Sequence, residues 1–199
     1  MPKKNAILKK VKKHQVVVIR AETGSGKSTQ LTQYIWREQN VSQNGLIVCT
    51  QPRKIAAVSL AKHVSTQVGC ALGDIVGYQV GITNKKSSNT AILYVTDFTM
   101  LKMMVNKDLN DISCIIVDEA HERTVYTDLL LGMIKSCLNI RPDLKLIITS
   151  ATIDTTVFKN YFQIGDEAIM EVSGRTFPIE DIWLDQDIVL GWDYFKKNH

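Results

Sequence analysis

The sequence predicts an α/β domain, a mostly parallel sheet with helices on both faces. Three observations predict it. Short runs dominated by Val, Ile and Leu alternate with amphipathic stretches of helical length. The runs are apolar on successive residues, as expected of strands covered on both faces. The polar residues able to carry chemistry fall where those runs end, the edge at which parallel sheets present ligand sites.

Taken in order, the strands are read over Gln15–Arg20, Leu46–Thr50, Ile92–Thr96, Cys114–Asp118 and Leu144–Thr149. Helices are read over Ser28–Arg37, Lys54–Val68, Phe98–Val105, Asp128–Asn139 and Thr155–Tyr161. Right-handed crossovers would join them. Tyr78–Gly81 reads as a further short strand, and Thr83–Asn89 as a polar loop. After Asp154 the chain turns less regular. Ser173–Pro178 reads as a turn before a last extended run, and the end carries the aromatics Trp192, Tyr194 and Phe195.

Composition bounds the class. With 199 residues, 45% hydrophobic and 22% charged, the chain can bury a full core. The net charge of +4 is mild, and much of the excess is Lys3, Lys4, Lys9, Lys10, Lys12 and Lys13. That cluster fits a solvated helix face or a contact to phosphate or nucleic acid. No run reaches about 18 apolar residues, so no membrane span is expected. The basic start lacks the apolar core and cleavage site of a secretory signal. Cys49, Cys70, Cys114 and Cys137 form no CxxC pair, which argues against zinc and redox motifs. A reducing compartment, cytoplasm or nucleus, follows.

Ala21-Glu22-Thr23-Gly24-Ser25-Gly26-Lys27-Ser28, with Thr29 after it, lies between the first strand and the first helix. Strand, Gly-containing loop and helix make a phosphate-binding loop. Its N–H groups and the helix N-terminus form an anion-binding concavity. Lys27 would reach the β- and γ-phosphates of ATP and Ser28 would ligate Mg²⁺. Ala21 stands where the strict pattern has Gly, which requires a negative φ there. Asp118-Glu119-Ala120-His121 follows the apolar run Cys114–Val117. There Asp118 would hold the magnesium and Glu119 would orient the attacking water as general base. A charged loop capping a strand would carry the same residues.

These residues resemble the DEAH-box RNA helicases of superfamily 2, and the match runs in order along nearly the whole chain. Asp118–His121 with Glu122-Arg123 resembles the signature of that family, and Ala21–Ser28 its phosphate loop. Thr50–Ala57 is similar to its first RNA-contacting motif, Thr96-Asp97 to a second, and Ser150-Ala151-Thr152 to its coupling motif. Gly174–Pro178 resembles the segment that closes the first RecA-like domain. The resemblance implies a RecA-like P-loop NTPase fold over residues 1–185. Residues 186–199 would begin a linker toward a second RecA-like domain that brings arginine fingers. It implies Arg53, Lys54 and Thr96 on the RNA backbone, His121 as a nucleotide sensor, and Ser150 and Thr152 coupling hydrolysis to RNA. Each has a simpler reading: a helix start after Pro52, a satisfied loop histidine, a helix N-cap.

Three positions depart from that family. Phe98 stands where the second RNA motif carries Gly, which crowds a backbone approach to RNA. Thr32 replaces a Pro. His63, beside Lys62, occupies the place of an Arg that stacks on adenine, so weaker base selectivity is expected. Gly77–Gly81 and Gln51–Ile55 resemble, in a few residues, the spindle-E-like germline helicases. The expected activity is Mg²⁺-dependent NTP hydrolysis coupled to remodelling of single-stranded or structured RNA, with the isolated domain nearly inactive. The compartment would be cytoplasmic, or nuclear or germ-granule. A non-catalytic RNA-binding scaffold and a small-molecule P-loop kinase are the alternatives. The kinase leaves Gln51–Ala57 and Ser150–Thr152 unexplained.

Overall fold

The computed structural model describes residues 3–22, 25–38, 45–106, 109–151 and 155–172. Thr23, Gly24, Thr152, the Ser173–Pro178 turn, the terminal aromatics and the proposed boundary at residue 186 lie outside the described residues.

The chain runs α1 (Lys4–Lys13), β1 (Val16–Ala21), α2 (Lys27–Arg37), β2 (Leu46–Gln51), α3 (Lys54–Val68), β3 (Val76–Val80) and β4 (Thr83–Lys85). It continues through β5 (Ile92–Thr96), α4 (Asp97–Val105), β6 (Ile112–Val117), α5 (Val125–Ile140), β7 (Lys145–Ser150), α6 (Thr156–Phe162) and β8 (Ile169–Val172). The eight strands form one sheet in the order β4-β3-β5-β2-β6-β7-β1-β8. Every pairing is parallel except the β3–β4 hairpin. The expected α/β fold with a mostly parallel sheet is the one observed.

Strand residues divide by parity between two cores. Val17, Ile19, Ile47, Cys49 and Ile116 pack against Ile7, Leu31, Ile35, Ala61 and Val64 of α1, α2 and α3. Their neighbours Val18, Val48, Val95, Ile115 and Val117 face Met100, Leu130, Ile134 and Phe158 of α4, α5 and α6. Full burial of each such aliphatic side chain stabilises the fold by about 1.5–3 kcal/mol. Because β1, β2, β5, β6 and β7 are mutually parallel, Ala21, Gln51, Thr96, Val117 and Ser150 end at one edge of the sheet.

Several boundaries differ from the expected ones. Asp118 lies beyond β6, which instead begins earlier, at Ile112. The helix read from Asp128 starts at Val125, where the Thr124 hydroxyl caps it by accepting from the Thr127 N–H. Thr83–Lys85 forms β4 rather than loop; all three residues are exposed, so no apolar pattern betrays it. The turn before it uses Gly81 at φ +61°. The basic opening stretch is a helix that buries Ile7, Leu8 and Val11. Several of its lysines are engaged. Lys3 donates to the Glu171 carbonyl at 2.8 Å, Lys10 to that of Glu167, and Lys12 pairs with Glu38 at 2.8 Å.

Candidate nucleotide site

Ala21 ends β1 buried and in strand conformation, so its Cβ costs nothing where the loop pattern has Gly. Gly26 precedes α2 at φ +80° and ψ 16°, a left-handed conformation that favours glycine. Helix α2 therefore starts at Lys27, with its first N–H groups pointing into the loop. Within the loop the Ser25 N–H reaches the Glu22 carbonyl at 3.2 Å, and the Thr29 hydroxyl the Gly26 carbonyl at 3.3 Å. The Ser25 hydroxyl is buried without a hydrogen-bond partner among the described residues. Such an orphan, just ahead of a helix N-terminus, suits a polar ligand.

The helix is anchored from behind. Tyr94, fully buried in β5, donates its hydroxyl to the Ser28 carbonyl at 2.8 Å. That leaves the Thr32 hydroxyl, 2.9 Å away, as donor to the Tyr94 oxygen. Thr32 is thus a buried link between β5 and α2. Burial pushes the Tyr94 phenol well above its ordinary range, so it stays a donor.

Asp118 is completely buried. Its Oδ2 accepts from Gln51 Nε2 at 2.7 Å; its Oδ1 accepts from the Thr149 hydroxyl and from the Glu119 N–H at 3.0 Å. Three donors from β2, β7 and its own loop hold the carboxylate in place. Burial, and after it the Asp118 charge, raise the Cys49 thiol, which stays protonated. Neither Gln51 nor Thr149 carried a role in the sequence reading. Their signal is their place, each at the end of a strand flanking β6.

Glu119 adopts φ 54°, left-handed and uncommon for a residue with a Cβ. From there its Oε1 meets Lys27 Nζ at 2.8 Å, and Lys27 is only 3% exposed. His121 Nδ1 accepts from the Ala151 N–H at 3.2 Å and lies 3.5 Å from Glu119 Oε2. A nitrogen that accepts carries no proton, so the Glu119 approach is not a hydrogen bond, and the network assigns the proton to Nε2. His121 thereby ties the acidic loop to the end of β7. Ser150, the last residue of that strand, is fully buried.

Arg53, Lys54 and Thr96 lie along the same edge, and His63 lies further down α3. Arg53 is 76% exposed and contacts Glu122 Oε1 at 3.2 Å; Lys54 opens α3 and is exposed. Thr96 is buried, and its hydroxyl caps α4 by accepting from the Thr99 N–H at 3.2 Å. His63 is exposed on α3, with Nε2 2.9 Å from Gln67 Nε2. Gln67 Oε1 in turn accepts from Gln30 at 3.0 Å and Gln33 at 2.6 Å, which links His63 to α2. A cavity of about 600 Å³ lies at the opposite edge, between Gly45, Ser113 and Arg141. It shares no residue with these motifs. No group of three His, Cys, Asp or Glu that could hold a metal occurs among the described residues.

The family model described as DEAD/DEAH box helicase matches residues 2–160. Over 180 residues the chain is 45% identical to the pre-mRNA-splicing factor ATP-dependent RNA helicase prp22 of Schizosaccharomyces pombe. That alignment covers 90% of this chain and 15% of the relative, so the chain spans a small part of the length of the protein it matches.

Proposed function

This chain belongs to the DEAD/DEAH box helicase family, and from that premise we propose that it is the ATP-binding half of an ATP-dependent RNA helicase. The observation that carries the reading is the contact between Lys27 and Glu119 beside the triply bonded Asp118. A buried ammonium has to be paired, and here its partner is a carboxylate whose place a phosphate can take. The γ-phosphate of ATP would draw Lys27 to itself, and Glu119 would then be free to orient water and accept its proton. Ser28 and Asp118 offer the oxygen donors Mg²⁺ prefers, and would hold it together with water and the phosphates. Magnesium bound there would supply charge neutralisation to the phosphates.

Thr23, Gly24, Ser25 and Gly26 would contribute loop N–H groups, and His63 would stand beside the base. On the RNA side, Arg53 and Lys54 would contact the backbone without reading sequence. His121, Ser150 and Thr152 would connect the two. A second RecA-like domain, joined beyond residue 185, would complete the cleft. The splicing relative supports a nuclear setting. No helix among the described residues is long and apolar enough to cross a membrane.

The test is ATP hydrolysis by the full-length protein with and without single-stranded RNA. Stimulation by RNA is expected. Turnover indifferent to RNA, with phosphate passed to a small molecule, would establish the kinase alternative instead.

A further inference from the structure

The same edge carries two aromatic rings that nucleotide chemistry does not use. Phe98 lies in the first turn of α4 and Tyr126 in the first turn of α5. Their centroids are 5.1 Å apart with the planes inclined at 55°. Phe98 is 43% exposed and Tyr126 50%, so the pair forms a ledge rather than part of the core. The Lys102 ammonium sits 4.7 Å from the Phe98 centroid. Strand β2 runs between β5 and β6 and delivers the exposed Arg53 and Lys54 to the same edge. The Thr96 hydroxyl at this corner is taken up by the α4 cap.

We propose that Phe98 and Tyr126 form a stacking platform for a base of single-stranded RNA, with the Lys102 ammonium, which lies over the Phe98 ring, moving aside to meet the adjoining phosphate. The proposal rests on the RNA helicase reading above and gives that reading a base contact beside its backbone contacts. Every base has a π-face, so such a ledge holds RNA without choosing its sequence. The competing occupant is a protein surface, because Val125 and Leu129 extend exposed apolar area along α5. Lys102 decides between them. An apolar protein interface would strand its ammonium away from water, a costly arrangement, whereas a nucleotide brings its own counter-charge.

The experiment compares full-length wild type with Phe98→Leu, which keeps an apolar side chain on α4. Fluorescence anisotropy is read on a labelled 12-residue oligoadenylate and on an abasic oligomer of the same length. Phe98→Leu should weaken oligoadenylate binding on the order of tenfold, leave abasic binding unchanged, and leave the salt slope unchanged, since that slope counts phosphates. Phe98→Trp should restore the affinity, and Lys102→Gln should lower the salt slope by about one. Wild-type affinity in Phe98→Leu, with RNA bound normally by wild type, overturns the platform and leaves the helicase reading standing. An equal loss on both oligomers assigns Phe98 to protein packing and also overturns it. Failure of the wild type to bind either oligomer overturns the RNA reading and the platform together.

Discussion

Tyr94 shows how a residue outside every motif can set the geometry of one. It sits between Leu93 and Val95 in a fully buried strand, and a buried phenol needs a hydrogen-bond partner. It finds two, the Ser28 carbonyl at 2.8 Å and Thr32 at 2.9 Å, and so fixes the first turn of α2 against β5. Tyr94→Phe keeps the ring and removes both bonds, after which the Thr32 hydroxyl proton can turn to the Thr29 carbonyl, 3.3 Å away. The expected loss is about 1 kcal/mol, or a fall in Tm of about 2–4 °C in a domain of this size. Thermal unfolding measures it; an unchanged Tm would show the two bonds to be without net value. ATP affinity should fall a few-fold with it, as the Lys27 and Ser28 turn loosens. The sequence offered the clue, a lone Tyr among Val and Leu, but not the partner, because Thr32 is 62 positions away.

At the scale of elements, the pairing of α4 with α5 rests partly on a buried carboxyl. Asp97 accepts from the Thr127 hydroxyl at 2.6 Å, and its other oxygen has no hydrogen-bond partner among the described residues. Burial raises its pKa from 3.8, opposed by the hydrogen bond from the Thr127 hydroxyl. The folded state therefore binds this proton more tightly than the unfolded state does. Stability present at low pH is lost as pH rises from 3.8 through the raised value. Asp97→Asn keeps an acceptor for Thr127 and removes the charge. Its Tm should exceed that of wild type at pH 7.5 by order 2–4 °C, about 1 kcal/mol, with the gain shrinking toward pH 4. A variant less stable at pH 7.5 would mean that the carboxylate is wanted in its ionised form. The main elements were legible because their apolar runs are continuous. The short β4 was not, since Thr83, Asn84 and Lys85 are all exposed and only main-chain pairing to β3 makes them a strand. The four-residue β8 was missed for a related reason. Ile169–Val172 is too short to show a period and is held by its parallel partner β1.

Across the whole molecule, one parallel sheet brings separate stretches of chain to a single edge. Ala21 and Asp118 are far apart in sequence, yet their strands stand two places apart in the sheet, with β7 between them. Sequence spacing alone could pick out Lys27, Asp118 and Glu119, because each motif is local and sits at a strand end. It could not show that Lys27 and Glu119 touch, or that Gln51 and Thr149 hold Asp118 from either side. Those contacts depend on the strand order. The central claim, that this edge hydrolyses ATP with Glu119 as its base, is tested most directly by Glu119→Gln in the full-length protein. RNA-stimulated turnover at saturating ATP is measured beside ATP binding. The variant should bind ATP as wild type does and lose about 10²–10⁴-fold in turnover. Near-normal turnover would contradict the claim.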